Sequence, residues 1–202
     1  MKLYAYLTFI IFLVALGVVM LIHANVGLPP WDMFHIALSE RTTLTIGMSA
    51  ILTGLVCILI AYLLGVKPGF ITLMDAVLIG LFIDLIIFLD FIPEQSTMFY
   101  GLVQLIVGLL LVSFGIASIY HVNMSFGPRD SLVIAVSRQL SLSQGISKLI
   151  TEVLVFIIAF LLGGPFGVGT IVVALLVGVF IDVWAGIIKK LDKGEREEMP
   201  LV

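Results

Sequence analysis

Gly27-Leu28-Pro29-Pro30-Trp31-Asp32 is a polar, proline-marked break in an apolar chain, and Ser125-Phe126-Gly127-Pro128-Arg129-Asp130 is a second one. Pro30 and Pro128, and Asp32 and Asp130, stand at one constant offset of 98 positions. Followed outward, that offset needs no gap. His23 meets His121, Asn25 meets Asn123, Gly17 meets Gly115, Ser39 meets Ser137 and Gly47 meets Gly145. Gly65 meets Gly163, Thr72 meets Thr170, and the run Gly80 to Asp84 meets Gly178 to Asp182. Between Leu13 and Asp84, 27 of 72 positions are identical. Matching leucines would say little in such a chain, but matching His, Asn, Pro, Asp and Gly mark an internal repeat.

Of the 202 residues, 61% are hydrophobic and 11% charged, with a mean hydropathy of +1.27. A soluble domain of this size needs more polar surface than that. The apolar runs are continuous, not alternating, and approach the ~20 residues of a spanning helix. The chain therefore reads as an all-α, multi-pass membrane protein. Net charge is −3 and the basic residues cluster only near the C-terminus, which excludes nucleic acid as a partner. Cys57 is the single cysteine, so neither a disulfide framework nor a thiolate metal site is expected. No metal motif and no cofactor motif is present, and the apolar run after Met1-Lys2 lacks a cleavage pattern, so it reads as a first span.

Six spans are expected, at about 3–22, 46–64, 70–89, 98–120, 145–162 and 168–188. Residues 1–95 form the first repeat and 96–190 the second, each with three spans and a short proline-led half-helix, at 30–41 and 128–139. Residues 191–202 form a charged cytoplasmic tail, frayed at its end. An odd number of spans per repeat inverts the second copy relative to the first. With the N-terminus inside, Lys2, Lys67, Arg129, Arg138, Lys189, Lys190, Lys193 and Arg196 fall on the cytoplasmic side, and of the basic residues weighed only Arg41 falls outside. That bias favours two inverted repeats with both termini in the cytoplasm. The alternative is eight spanning helices in parallel repeats, but twelve residues of helix reach only ~18 Å, about half a hydrocarbon core.

Pro30 and Pro128 suit a first helical turn, where their missing N–H costs nothing. Asp32 and Asp130 then meet the positive end of a helix dipole. Asp32, His35 and Ser39 share one face, with Trp31, Phe34 and Leu38 beside it. The second copy keeps the scaffold but carries Arg129 opposite Trp31 and Val133 opposite His35, which gives an asymmetric site. If the half-helices enter from opposite sides and meet near the midplane, Trp31, Asp32, His35, Arg129 and Asp130 bind substrate, and the His-x-Asn pairs His23/Asn25 and His121/Asn123 line its path. The alternative is two interfacial helices lying flat, with both aspartates as ordinary caps. Asp84 and Asp182 lie late in apolar spans, where a carboxylate costs ~2.5–3.5 kcal/mol. They read as an ion-coupling pair, or else as caps on neighbouring helices. Gly101, Gly108 and Gly115 fall seven apart and provide a smooth stripe for packing within the bundle, with a homodimer seam as the alternative.

The runs Gly27 to Ser39, Phe126 to Asp130, Leu162 to Thr170 and Phe180-Ile181-Asp182 together make the chain resemble the YczE/YyaS/YitT-like bacterial integral membrane proteins, most closely the YczE-like branch. The resemblance covers nearly the whole chain. It implies a multi-pass protein of the bacterial cytoplasmic membrane, with a small-molecule transport role. It brings no substrate and no catalytic residues. The expectation is a transporter or permease. The alternatives are a substrate-capture subunit of an ATP-driven uptake system and a non-transporting assembly or regulatory protein. No Gly-x-Ser-x-Gly or His-Glu-x-x-His pattern is present, so no enzyme is expected. The expected partners are the lipid bilayer and an unknown small molecule or ion.

Overall fold

The computed structural model describes residues 2–122 and 127–197, and among these every regular element is a helix. The order is α1 (Lys2–His23), α2 (Pro30–Arg41), α3 (Ile46–Leu63), α4 (Phe70–Leu89), α5 (Met98–His121), α6 (Pro128–Leu140), α7 (Gln144–Leu161) and α8 (Val168–Glu197). Six are long and apolar enough to cross a membrane, namely α1, α3, α4, α5, α7 and α8, the last through Asp192. The two short ones, α2 and α6, are the proline-led segments. The helix ends agree with the expected spans to within a residue or two, except at α8. There the helix continues through Lys189, Lys190 and Asp192 to Glu197, where the sequence suggested an end at Ile188. Lysine and glutamate are good helix formers, so charge alone does not stop the helix.

The two halves repeat their local geometry. Thr45 caps α3 by accepting from the Met48 N–H, and Ser143 caps α7 by accepting from the Ile146 N–H. Thr53 and Thr151, both buried, donate to the carbonyls of Ser49 and Ser147 at 2.7 Å. Gly65 and Gly163 close the same two helices in the left-handed region, at φ +88° and +76°. Only a residue without a Cβ takes that conformation freely.

The core is organised on α1 and α5. A Cβ at Gly101 would meet the Ala24 carbonyl oxygen, one at Gly108 the Gly17 carbonyl oxygen, and one at Gly115 the Val14 side chain. The register therefore descends α5 as it climbs α1, and the two helices run antiparallel. All three heptad glycines are spent on this crossing. Small residues let the backbones approach, and dispersion then holds them, since lipid offers no hydrophobic drive. Around this seam α4 packs on α1, α8 on α5, and α3 on α4. The short helices α2 and α6 each lie against both α3 and α7. Leu21, Leu28, Met33, Leu105, Leu109 and Val173 close a buried cluster beneath them. One pairing is broken: α3 packs along α4, but α7 and α8 make no comparable contact.

Gly108→Val forces a side chain into backbone and is expected to cost about 1–3 kcal/mol, in line with overpacked cores. Gly186→Ala faces open space and is expected to change stability little. Thermal unfolding of the detergent-solubilised protein distinguishes the two.

Candidate functional site

The chain leaves α1 through two positive-φ residues, Asn25 at +53° and Gly27 at +105°. A Cβ at Gly27 would strike the Gly167 backbone, and the Gly169 N–H donates to the Val26 carbonyl at 2.6 Å. This turn pins the start of α2 to the start of α8. Pro29 supplies an extended N-cap, Pro30 opens the helix, and the Met33 N–H closes the first turn on the Pro29 carbonyl at 3.0 Å. The second copy uses Gly127 as cap and Pro128 as the first helical residue. Pro128 Cβ lies against Gly54, at the middle of α3, so α6 begins at mid-height in the bundle.

The first turns of the two short helices meet there. The Arg129 guanidinium lies 3.5 Å from Asp32 Oδ1 and 5.1 Å from the centre of the Trp31 ring. Trp31 and Arg129 occupy the same position in the two repeats, so the asymmetry read from the sequence is an interaction. His35 Nδ1 stands 3.6 Å from Asp32 Oδ1. Asp32 and His35 are buried, at 5% and 2% exposure, and Arg129 is partly exposed. Burial works against a charge on Asp32, but the His35 ring and the Arg129 guanidinium outweigh it and hold the carboxyl below its ordinary pKa. For His35, burial dominates over the pull of Asp32 and holds the imidazole below its ordinary value.

Asp130, the third charged member, accepts a hydrogen bond from the Tyr120 hydroxyl at 3.0 Å. Trp31, Asp32, Arg129, Asp130, Tyr120, Asp75, Lys148 and Glu152 supply the polar and aromatic lining of a cavity of about 600 Å³. Its remaining walls are mostly aliphatic, from α1, α4, α5, α7 and α8. That is the size and character of a small-molecule site. Sequence reading named four of these eight residues. It missed Tyr120, for which no pattern spoke, and Asp75, Lys148 and Glu152. A signal for Asp75 existed: its repeat counterpart Val173 lines the same cavity, so the two copies differ where they face the ligand space.

Other expected residues lie elsewhere. His35 supports Asp32 and is not among the lining residues. Ser39 turns back to the Ile36 carbonyl at 2.9 Å. His23 Nδ1 bonds the Ile92 carbonyl at 2.8 Å, and the Asn25 amide donates to the Gln95 carbonyl at 3.3 Å. Together they hold the α4–α5 connection, and Asn25 lines a separate hollow of about 520 Å³. His121 stands at the far end, 3.8 Å from Asp192, and Asn123 lies outside the described residues. Asp84 accepts from Thr45 Oγ1 at 2.5 Å and from the Gly47 N–H at 2.8 Å, which makes it a cap on α3. Asp182 is exposed on α8. No cluster of three or more metal-ligating side chains occurs among the described residues.

A family model described as a family of unknown function, DUF6198, matches residues 1–186. The chain belongs to the DUF6198 family. Its relatives include the uncharacterized membrane protein YczE of Bacillus subtilis, 31% identical over 172 residues, or 84% of this chain and 79% of that one. The uncharacterized protein YyaS of the same organism is 26% identical over 96% of this chain and 98% of its own. An uncharacterized protein of Haemophilus influenzae is 26% identical over 92% of this chain and 84% of its own. No solved structure matches. The membrane character in the YczE name agrees with the six candidate spans of this DUF6198 chain.

Arg129→Ala leaves Asp32 facing only His35. A double-mutant cycle of Arg129→Ala with Asp32→Asn, read by unfolding in detergent, is expected to give a coupling of about 1 kcal/mol, since Arg129 is partly exposed.

Proposed function

We propose that this DUF6198 protein is a small-molecule permease of the bacterial cytoplasmic membrane, built from two inverted repeats, with its substrate held between α2 and α6. One observation carries the reading: Trp31 and Arg129, the same position in the two copies, meet in the wall of a cavity at mid-height in the bundle. Short helices that cannot span are tolerated in a membrane only where protein or water covers them. Paired half-helices at a repeat interface are how many secondary transporters build a central site. The antiparallel course of α1 and its counterpart α5 supports opposite orientation of the repeats. The lysines and arginines that fall together at one end support cytoplasmic termini.

In this reading α2 and α6 offer their N-terminal N–H groups and Asp32 and Asp130 their carboxylates, while Arg129 bridges the halves. A solute competing for Arg129 would loosen the link between the two repeats. Binding and movement are thereby coupled at one residue. Asp182 is the member of the ion-coupling pair left available to a cation, because Asp84 is occupied as a cap.

Two measurements test this. In a Cys57→Ser background, Ser39→Cys is expected to label from outside intact cells and Ser137→Cys from inside. Labelling of both from one side sinks the inverted arrangement. In liposomes screened with radiolabelled solutes, Asp32→Asn and Asp130→Asn are each expected to cut the responding flux at least tenfold. Unchanged flux in both removes the site, and binding without flux makes the protein a capture subunit.

A further inference from the structure

The first repeat closes its last two spans with a lock. Gly47 and Gly80 are buried against each other, so that a Cβ on either would meet the other's carbonyl oxygen. Asp84 fastens the crossing by accepting from Thr45 Oγ1 and the Gly47 N–H. The second repeat keeps every part of that lock at the same offset, as Ser143, Gly145, Gly178 and Asp182. There the lock is undone. Gly145 and Gly178 are exposed, with no atom within 4 Å of where a Cβ would stand. Asp182 is exposed and bonded to nothing among the described residues. A lone carboxylate in an apolar span costs ~2.5–3.5 kcal/mol, which is a reason to lose it unless it is used in another state.

The opening leads to the site. Leu149 on α7 and Leu175 on α8 line the cavity, yet they are 63% and 69% exposed. Both lie inside candidate spans, so the mouth between α7 and α8 faces hydrocarbon. A molecule arriving by this mouth must dissolve in the bilayer. Its head must suit the charged groups that line the cavity, which are Asp32, Asp75, Asp130 and Glu152 against Arg129 and Lys148. Four acids against two bases favour a cation, and the Tyr120 and Trp31 rings add faces that cations favour. Glu152 stands where the first repeat has Gly54, so a closed second seam would keep a carboxylate beside the entrance.

Resting on the site proposed above, we propose that the substrate is an amphipathic cation that enters from the bilayer between α7 and α8. The seam then closes behind it as Gly145 meets Gly178 and Asp182 caps α7 at Ser143, as Asp84 caps α3.

The test uses protein in lipid nanodiscs carrying Cys57→Ser and Trp184→Phe, so that Trp31 is the only tryptophan. Ser143→Cys/Asp182→Cys is treated with a short thiol cross-linker, with Thr45→Cys/Asp84→Cys as the control pair. Decyltrimethylammonium is then titrated against Trp31 fluorescence. The expected result is an intramolecular cross-link in both pairs, and saturable quenching that weakens at least tenfold when 143 and 182 are joined. Linked dimers would overturn the proposal by making the seam an interface between copies. No link at 143/182 while the control links would overturn the closure. If ethyltrimethylammonium binds as well, whether or not the seam is linked, the site stands and the lateral entry falls. If decyl sulfate binds in place of the cation, the assigned charge is wrong. If none of the three binds, the proposal falls, and the solute screen decides separately whether the site itself survives.

Discussion

A helix of 12 or 13 residues is too short to cross a bilayer, and that constraint shapes the rest of this molecule. Its free N-terminal amides cannot be left in hydrocarbon, where each unsatisfied group costs several kcal/mol. The chain answers by placing both short helices between α3 and α7 and turning their first residues toward each other. The Arg129 link to Asp32 and Trp31 is what this arrangement makes available. Because Arg129 is fixed in charge, its neighbours must be acidic or aromatic, and they are both. The polar cavity follows from the same geometry, because six spans held apart by two short helices cannot fill their own centre.

The asymmetry between the halves carries as much meaning as their likeness. In the first half α3, α4 and Asp84 form a closed unit, and the carboxylate that insertion would penalise is satisfied by a hydroxyl and an amide. In the second half α8 leans on α5 through Phe114 and Trp184, rings 5.1 Å apart, and leaves α7 to the short helices. The first half thus holds its last two spans together where the second does not. The α4–α5 connection is tied down as well, where the Gln95 side chain reaches Gln104 at 2.6 Å and Gln104 reaches the Met20 carbonyl at 3.2 Å.

Much of this was legible from residue order. Continuous apolar runs located the six long helices, and Pro-x-Asp at a fixed offset located the two short ones. Glycines seven apart announced close packing of α5 within the bundle, though not that α1 is its partner. Identical residues did not reveal which partner each would find. His23 and His121 match in sequence, yet one ties a loop carbonyl and the other faces Asp192. Asp84 and Asp182 match too, and one is a cap while the other is unbonded among the described residues. Side-chain partners come from helices far apart in the chain, and a repeat predicts equivalent surroundings only where the two halves pack alike. Asp75 and Tyr120 escaped notice because each has a bland position in its own helix and acquires meaning only from α6 beside it.

The crossing of α1 and α5 has one more consequence. Gly17 rests on Gly108, and Gly115, the counterpart of Gly17, rests near Ile10, the counterpart of Gly108. The contact is reciprocal: each half gives the other the patch it receives. Such self-complementary surfaces are the mark of isologous dimers. A chain of half this length could therefore make the same seam with a second copy of itself. Fusion of two such copies would preserve the seam and release the rest from having to serve both orientations at once. Trp31 facing Arg129, Asp75 standing for Val173 and Gly54 standing for Glu152 are differences that no homodimer could hold.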